Sequence, residues 1–209
     1  MTADRLLLWR HGRTEWNVTG RFQGQADIGL DPVGLDQAAQ AARVLATFNP
    51  VALYSSDLSR AYQTATALAE VVNLPIQTDK RLREIHVGSW EGLLGAEIRA
   101  QNPDLAERIR QGEDVRRSPT GESPQEVAER MAEALGEIAY AAPDGSTVMV
   151  VTHGLAARVG SCRFVGLPFE HWRRMGGLAN CAWISLDRHR SGAYWRIEAY
   201  NVGVSPDLG

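Results

Sequence analysis

The sequence predicts an α/β fold, namely a three-layer α/β/α sandwich with a mainly parallel sheet and a small helical insertion. Short apolar runs, typical of strands buried on both faces, alternate with segments whose apolar residues recur at helical spacing. Residues 88–122 interrupt this alternation, and we expect an inserted helical lid there. The length of 209 residues is that of one domain, so we expect a single domain over residues 1–209.

The first half of the chain holds three predicted strands, at residues 5–9, 51–55 and 74–78. A polar loop follows the first strand to about Pro32, and a helix is expected from Gly34. Its apolar face would comprise Leu35, Ala38, Ala39, Ala42 and Leu45. A second helix is expected from near Arg60 until Pro75 stops it.

The second half begins with a helical pattern over residues 91–111 and a turn-rich stretch over 112–120. Ser123 and Glu126 fit a capping box, which predicts a long helix after them. A helix rich in small residues is expected to end near Val165. The remaining predicted strands are residues 147–151, 182–186 and 194–199.

Composition limits the classes of function. The 22 Lys and Arg against 25 Asp and Glu give a net charge of −3, which does not indicate a nucleic-acid-binding protein. Cys162 and Cys181 are too few for a disulfide framework or a four-thiolate metal site. No apolar stretch has the length of a membrane span and no export signal is recognisable, so we expect a cytoplasmic protein. Late aromatic residues such as Trp183 and Trp195 fit a core or a homodimer edge.

Two histidines stand at equivalent places in the predicted fold. His11 and His153 each follow a buried strand almost directly and precede a glycine. Because ligands bind at the carboxyl ends of strands in open α/β sheets, we expect both at a functional site. Paired histidines are also common metal ligands, but that alternative needs a third ligand, and the sequence has no HxH, HExxH or Asp-rich run.

Arginines at the same sheet edge point to phosphate. Arg10 adjoins His11, and Arg60 opens the helix that follows the second strand. Guanidinium groups match phosphate oxygens, and the free amides of a helix N-terminus also bind anions. We therefore expect a small phosphate ester as ligand, with no metal or other cofactor, because the arginines supply the positive charge.

Four segments in order carry a family resemblance: LWRHGRTEWN at residues 8–17, SSDLSRAYQTA at 55–65, LREIHVGSWEG at 82–92 and VTHG at 151–154. They resemble the RHG signature, second arginine motif, acid-bearing loop and second histidine of the histidine phosphatase (phosphoglycerate-mutase-like) superfamily. A lone RHG is a weak signal, whereas four ordered motifs spread over most of the chain are specific.

The resemblance implies a role for each matched residue. His11 would be the nucleophile that forms a phosphohistidine, and Glu84 would act as general acid and then as base. The phosphate and the rest of the substrate would be bound by Arg10, Asn17, Gln23, Arg60, Glu84, His86 and His153. The alternative for Glu84 is a structural carboxylate paired with Arg81 or Arg83.

The reaction and the substrate are the remaining choices. After WEGLL at residues 90–94 the chain lacks the longer region of cofactor-dependent phosphoglycerate mutases, which favours hydrolysis over mutase activity. The tail, residues 171–183 and 194–201, resembles actinobacterial members that include glucosyl-3-phosphoglycerate phosphatases. The alternatives are a broad-specificity phosphomonoesterase, an α-ribazole phosphatase, a mutase, or a module that binds a phosphorylated ligand without turnover.

Overall fold

One six-stranded sheet organises the chain in the computed structural model, which describes residues 2–204. The strands are β1 (Arg5–Arg10), β2 (Ala52–Ser55), β3 (Ile76–Thr78), β4 (Thr147–Thr152), β5 (Trp183–Arg188) and β6 (Trp195–Val202). Their order is β3-β2-β4-β1-β5-β6, with parallel pairing from β3 to β1 and antiparallel pairing of β5 with both neighbours. The predicted, mainly parallel sheet is confirmed.

Seven α-helices surround this sheet within the described residues. They are α1 (Glu15–Thr19), α2 (Pro32–Ala46), α3 (Ser59–Val72), α4 (Gly95–Gln101), α5 (Pro103–Gln111), α6 (Pro124–Ala141) and α7 (Gly154–Phe164). Three short 3-10 helices are Lys80–Leu82, Gly88–Trp90 and Phe169–Arg174. None of these helices is long and apolar enough to cross a membrane.

Successive residues of the central strands pack into two separate hydrophobic cores, one on each face of the sheet. Leu6 and Leu8 of β1 point into the core that contains α6 and α7, whereas Leu7 and Trp9 point into the core that contains α2 and α3. All four side chains are fully buried. This alternation gives the predicted three-layer arrangement, because successive strand residues face opposite sides of a sheet.

The segment after β1 differs in two respects from the predicted loop and helix. Residues 15–19 form α1, capped by Thr14 and ended by Gly20 in the left-handed region, φ 69°. In α2 the prediction of Leu35 and Ala39 on the buried face is wrong, since both are exposed. The residues that α2 buries are Gly34, Ala38, Ala41, Ala42 and Leu45.

Gly34 explains why α2 is rotated from its predicted orientation. A Cβ atom at this position would lie 2.1 Å from the carbonyl oxygen of Arg13, so only glycine allows the close approach. The contact turns the Gly34 side of the helix inward. Asp31 caps the helix, with its side chain accepting a hydrogen bond from the Gly34 amide, so α2 begins two residues before the predicted start.

Residues 88–122 hold two helices rather than one continuous helical run. Asn102, with ψ 62°, ends α4, and Pro103 begins α5 at its first position, where proline needs no amide partner. Trp90 and Val115 anchor the segment because both are buried. Its motion as a lid stays a prediction. The predicted domain also includes residues 1 and 205–209, which lie outside the described residues.

Gly160 and Gly136 provide a matched test of the packing of α6 against α7. A Cβ at Gly160 would lie 2.6 Å from Cβ of Met131, whereas at Gly136 it would meet nothing within 4 Å. We expect Gly160→Ala to lower the free energy of unfolding by about 1–3 kcal/mol through overpacking. Gly136→Ala should raise it by about 0.5–1 kcal/mol, because alanine is the better helix former. Urea unfolding measures both, and equal effects of the two variants would contradict this packing.

Candidate active site

The register of β1 on β4 brings the two predicted histidines together. Arg10 lies opposite Thr152, so the next residue of each strand, His11 and His153, enters the same space. The His11 amide donates to the Thr152 carbonyl at 3.0 Å, and the two imidazole rings lie 5.1 Å apart between centroids. Both histidines are buried. The predicted meeting of these residues at the carboxyl edge of the sheet is therefore observed.

The hydrogen bond of His11 defines which ring nitrogen can react. Its Nδ1 lies 2.7 Å from the carbonyl oxygen of Gly12. A carbonyl only accepts, so Nδ1 carries the proton and Nε2 keeps its lone pair. Burial, and then the charges of Arg60 and Arg10, hold the pKa of His11 well below its usual range. The ring is neutral at pH 7 and is a nucleophile without prior deprotonation.

Gly12 and Thr64 fix the loop that carries this histidine. A Cβ at Gly12 would lie 2.4 Å from the Gly34 carbonyl oxygen, so glycine is required where the loop meets α2. The Gly12 amide donates to Oγ1 of Thr64 at 3.1 Å, and that hydroxyl donates to the Arg60 carbonyl at 2.7 Å. The nucleophile loop is thereby joined to the first turn of α3.

Arg60 is a fully buried cation held by backbone carbonyls. Its Nη1 and Nη2 donate to the carbonyls of Ala26 and Gly24, both at 2.8 Å, while its buried Nε has no hydrogen-bond partner. Burial lowers the pKa of Arg60 to about 10, which still leaves the group charged at pH 7. A buried guanidinium with an unused N–H favours an incoming anion.

Arg10, next to His11 in the chain, is only partly buried but also has an unused donor. It donates through Nη1 to the Leu178 carbonyl, and its buried Nε has no partner. Burial lowers the pKa of Arg10, and the charge of Glu84 acts in the opposite direction. Among the ion pairs within residues 2–204, none includes Arg10 or Arg60. Both are therefore available to a phosphate.

Glu84 binds the N-terminus of α7. Its Oε1 accepts from the amides of Ile85 at 2.9 Å and Ala156 at 3.0 Å, and its Oε2 accepts from the Leu155 amide at 3.1 Å. Since each carboxylate oxygen has two lone pairs, Oε2 retains one. These amides of the helix end fix the direction of the carboxylate.

The structure contradicts a salt-bridge role for Glu84. Arg81 pairs with Asp79 at 2.8 Å and with Glu137 at 2.7 Å, and Arg83 pairs with Asp57 at 2.6 Å. Each neighbouring arginine is thus already occupied by another carboxylate. Glu84 instead contributes to the wall of the pocket that contains His11.

This pocket has a volume of about 330 Å³. Its wall includes the predicted residues Arg10, His11, Asn17, Gln23, Arg60 and Glu84. The Oδ1 atom of Asn17 accepts from Thr14 and from Asn180, which leaves its NH₂ group as the donor available to the pocket. Buried Oε1 of Gln23 has no partner, so this amide also has unused hydrogen-bonding capacity.

The two other predicted residues do not line the pocket. His153 lies behind His11, with Nε2 2.9 Å from Oγ of Ser56 and with its buried Nδ1 unpartnered. His86 is turned toward the Thr120 carbonyl, 3.0 Å from its Nδ1, because the Glu122 carboxylate holds its amide at 2.8 Å. A contact between His86 and substrate stays a prediction.

Sequence reasoning missed several residues at the site and misplaced one anion-binding element. Ser56 lies within the second arginine motif but received no role. Trp16, Arg21 and Phe22 are among the further residues that line the pocket. The first amide of the Arg60 helix, from Ser59, is already bound by Asp27 at 2.7 Å. The helix end that meets the site is that of α7. Within residues 2–204, no group of three or more His, Cys, Asp or Glu side chains is arranged to hold a metal ion.

Comparison with known proteins gives consistent matches along the whole chain. Residues 6–203 match the histidine phosphatase superfamily (branch 1). A glucosyl-3-phosphoglycerate phosphatase of Mycobacterium tuberculosis is 37% identical, over 100% of both chains. A probable phosphoglycerate mutase of Serratia proteamaculans is 35% identical, over 98% of this chain and 93% of that protein.

A solved structure is similar at the same level. The mycobacterial glucosyl-3-phosphoglycerate phosphatase in complex with VO3 superimposes with a TM-score of 0.89 at 36% identity, covering 96% of this chain and 100% of that chain. These matches confirm the family that the four motifs predict.

The buried neutral histidines predict a pH dependence of stability. Burial is the largest cause that holds the pKa values of His11 and His153 well below their usual range. Below about pH 6.5 these histidines bind protons in the unfolded chain but stay neutral in the folded chain. The free energy of unfolding therefore falls as pH falls. Each histidine contributes up to about 1.4 kcal/mol per pH unit, and the full stability is present above that range.

Urea unfolding between pH 7.5 and 5.5, in buffer without phosphate, measures this dependence. We expect His11→Gln to reduce the slope of unfolding free energy against pH, because one of the two histidines is removed. His189→Gln is the control, since that partly exposed residue lies in the connection between β5 and β6. A slope that stays the same in His11→Gln would contradict a buried neutral His11.

Proposed function

The chain belongs to the histidine phosphatase superfamily (branch 1), and we propose that it hydrolyses a small phosphomonoester through a phosphohistidine on His11. One observation carries the proposal. A buried, neutral His11, with Nε2 free, lines the same pocket as Arg10 and Arg60, two guanidinium groups that have unused N–H donors. This arrangement suits a phosphoryl group, whose oxygens need positive charge while its phosphorus needs a nucleophile.

In the first step, Nε2 of His11 attacks phosphorus and the bond from phosphorus to the ester oxygen breaks. Arg10 and Arg60 stabilise the charge that spreads over the phosphoryl oxygens. His153 lies beside His11 with its Nδ1 unpartnered, and its contact with the phosphate stays a prediction. No metal ion is needed in this scheme, because the two guanidinium groups provide the positive charge.

The leaving oxygen takes its proton from Glu84. The free lone-pair position on Oε2 identifies the oxygen that carries this proton, because both positions on Oε1 accept backbone hydrogen bonds. After the alcohol leaves, the same oxygen accepts a proton from a water molecule. That water attacks phosphorus, the bond to Nε2 breaks, and inorganic phosphate and free His11 are formed.

We propose glucosyl-3-phosphoglycerate, or a closely related ester, as the substrate. The support is the full-length similarity to phosphatases that bear this name. Trp16, Arg21 and Phe22 also line the pocket, and Nη1 of Arg21 is fixed on the Gly92 carbonyl at 2.6 Å. A cation beside an apolar surface suits an ester that carries a carboxylate and a bulky neutral group.

Three further expectations from the sequence stay predictions. They are the cytoplasmic location, the homodimer and the substrate contact of His86. The mutase activity expected as an alternative is less favoured, although probable phosphoglycerate mutases also match the chain. It is an outcome of the substrate test below.

The covalent intermediate is tested by substituting the nucleophile. We expect His11→Ala to fold and to lose more than about 10³-fold in turnover, because the residue that forms the new bond is absent. Rapid quenching of the wild-type protein with a ³²P-labelled ester should trap an acid-labile phosphohistidine, which His11→Ala lacks. His189→Ala, far from the pocket, is the matched control. Trapped label in His11→Ala would exclude His11 as the nucleophile.

The substrate is tested by release of inorganic phosphate without added metal. The panel comprises glucosyl-3-phosphoglycerate, 3-phosphoglycerate, α-ribazole phosphate and p-nitrophenyl phosphate. We expect the highest kcat/KM for the glucosylated ester and no effect of EDTA. Equal slow rates on all four esters would contradict the substrate but retain the phosphatase. Conversion of 3-phosphoglycerate to 2-phosphoglycerate without phosphate release would show a mutase.

A further inference from the structure

Arg130 of α6 uses every N–H group of its guanidinium. Nε and Nη2 donate to the two carboxylate oxygens of Glu122 at 2.8 and 2.9 Å. The remaining three bonds go to backbone carbonyls: Nη1 donates to Arg81 at 2.6 Å and to Arg83 at 2.7 Å, and Nη2 donates to Glu84 at 3.0 Å. These five bonds equal the number of N–H donors that an arginine side chain has.

Two of the carbonyls that Arg130 binds, those of Arg83 and Glu84, belong to the loop that presents Glu84. Residues 83–87 lie in neither a helix nor a strand, so no regular hydrogen-bond ladder sets their course. The Glu84 carbonyl also accepts from Nε2 of Gln25 at 3.1 Å. Its carboxylate is held on the opposite side by the first amides of α7. Glu84 is thus held by its main chain on α6 and by its side chain on α7.

Glu122 completes the arrangement. Besides the two bonds from Arg130, its Oε2 accepts from the His86 amide at 2.8 Å, and its own amide donates to the His86 carbonyl at 2.8 Å. Burial alone would raise the pKa of Glu122, but the hydrogen bonds and the charge of Arg130 outweigh burial and lower it. The carboxylate therefore stays ionised and keeps the guanidinium in place.

We propose that Arg130 is the positioning residue for Glu84, and that Glu122 holds Arg130 in the orientation this requires. The inference rests on the proposed function, because it gives Glu84 the role of general acid and base. Arg130 itself touches no substrate, since it does not line the pocket. It acts by fixing the three carbonyls that define the path of the backbone through Glu84.

Lysine cannot replace this arrangement. An ammonium group has three donors at one point, whereas the guanidinium fork reaches two carboxylate oxygens and three carbonyls at once. Arg130→Lys keeps the charge but leaves loop carbonyls without their partner. The backbone at Glu84 then gains freedom, and the acid loses its alignment with the leaving oxygen.

The test compares leaving groups through kcat/KM, which covers the steps up to departure of the alcohol when that departure is irreversible. An alkyl phosphate needs a proton on its leaving oxygen, whereas p-nitrophenyl phosphate does not. We expect Arg130→Lys to lower kcat/KM about 10–100-fold for the alkyl ester and less than about threefold for the p-nitrophenyl ester. Arg81→Gln is the matched control, because it removes a guanidinium of the same region that pairs with Asp79 and Glu137, and it should change neither value by more than about twofold.

Two additional variants separate this inference from the proposed function. Glu84→Gln measures the acid directly and should show the same selective loss at larger size. Glu122→Gln removes the charge that orients Arg130 and should show a smaller selective loss for the alkyl ester. If circular dichroism shows Arg130→Lys to be unfolded, the Glu122→Gln variant alone tests the positioning role. A selective loss in Glu84→Gln, with equal or no losses in the folded Arg130 and Glu122 variants, would overturn the positioning role. No selective loss in Glu84→Gln would overturn the acid itself, and the positioning role with it.

Discussion

The site depends on the parallel pairing of β1 with β4. Because the register places Arg10 opposite Thr152, both strands end at the same level and His11 and His153 leave them side by side. A shift by one residue would turn one of the two histidines to the opposite face of the sheet. The register is in turn enforced by two cores, since Leu6 and Leu8 are buried on one face and Leu7 and Trp9 on the other. The packing of the sheet and the geometry of the nucleophile therefore have one cause.

Around these histidines the protein accumulates positive charge that it does not neutralise. Arg60 is buried and Arg10 is partly buried, yet both are held by carbonyls rather than by carboxylates. Burying a cation without a counter-ion is unfavourable for folding, and the same imbalance favours binding of a phosphate dianion. The two cations also keep His11 neutral, because they add to the effect of burial in lowering its pKa. Affinity for the phosphoryl group and nucleophilicity thus arise from the same two side chains.

The position of Glu84 depends on a different kind of contact. Glu84 stands on an irregular loop, and its position results from hydrogen bonds to elements that are themselves rigid, namely α6 through Arg130 and α7 through its first amides. The Arg130–Glu122 pair also connects this loop to the end of the segment 88–122. The long helix α6 therefore has two roles. Its apolar face packs in the core, and its Arg130 side chain binds the loop that carries Glu84.

Much of the protein could be predicted from local patterns. The strands were recognisable because apolar runs bury on both faces, and α6 because Ser123 and Glu126 form a capping box that depends only on neighbouring residues. Four motifs of fixed order predicted five residues of the pocket, namely Arg10, His11, Asn17, Arg60 and Glu84, whereas Arg21 and Phe22 lie outside these motifs. Contacts between residues far apart in the chain could not be predicted, because the local sequence contains no signal for them. The inward rotation of α2 depends on the close approach of Gly34 to the Arg13 carbonyl. The binding of Glu84 by the amides of α7 depends on how the loop of residues 83–87 packs against that helix. The amino-acid sequence alone identified the family and the residues expected to carry the chemistry, because these follow from ordered local motifs. The tertiary structure determined which partner occupies each hydrogen-bonding atom, because that depends on distances across the fold.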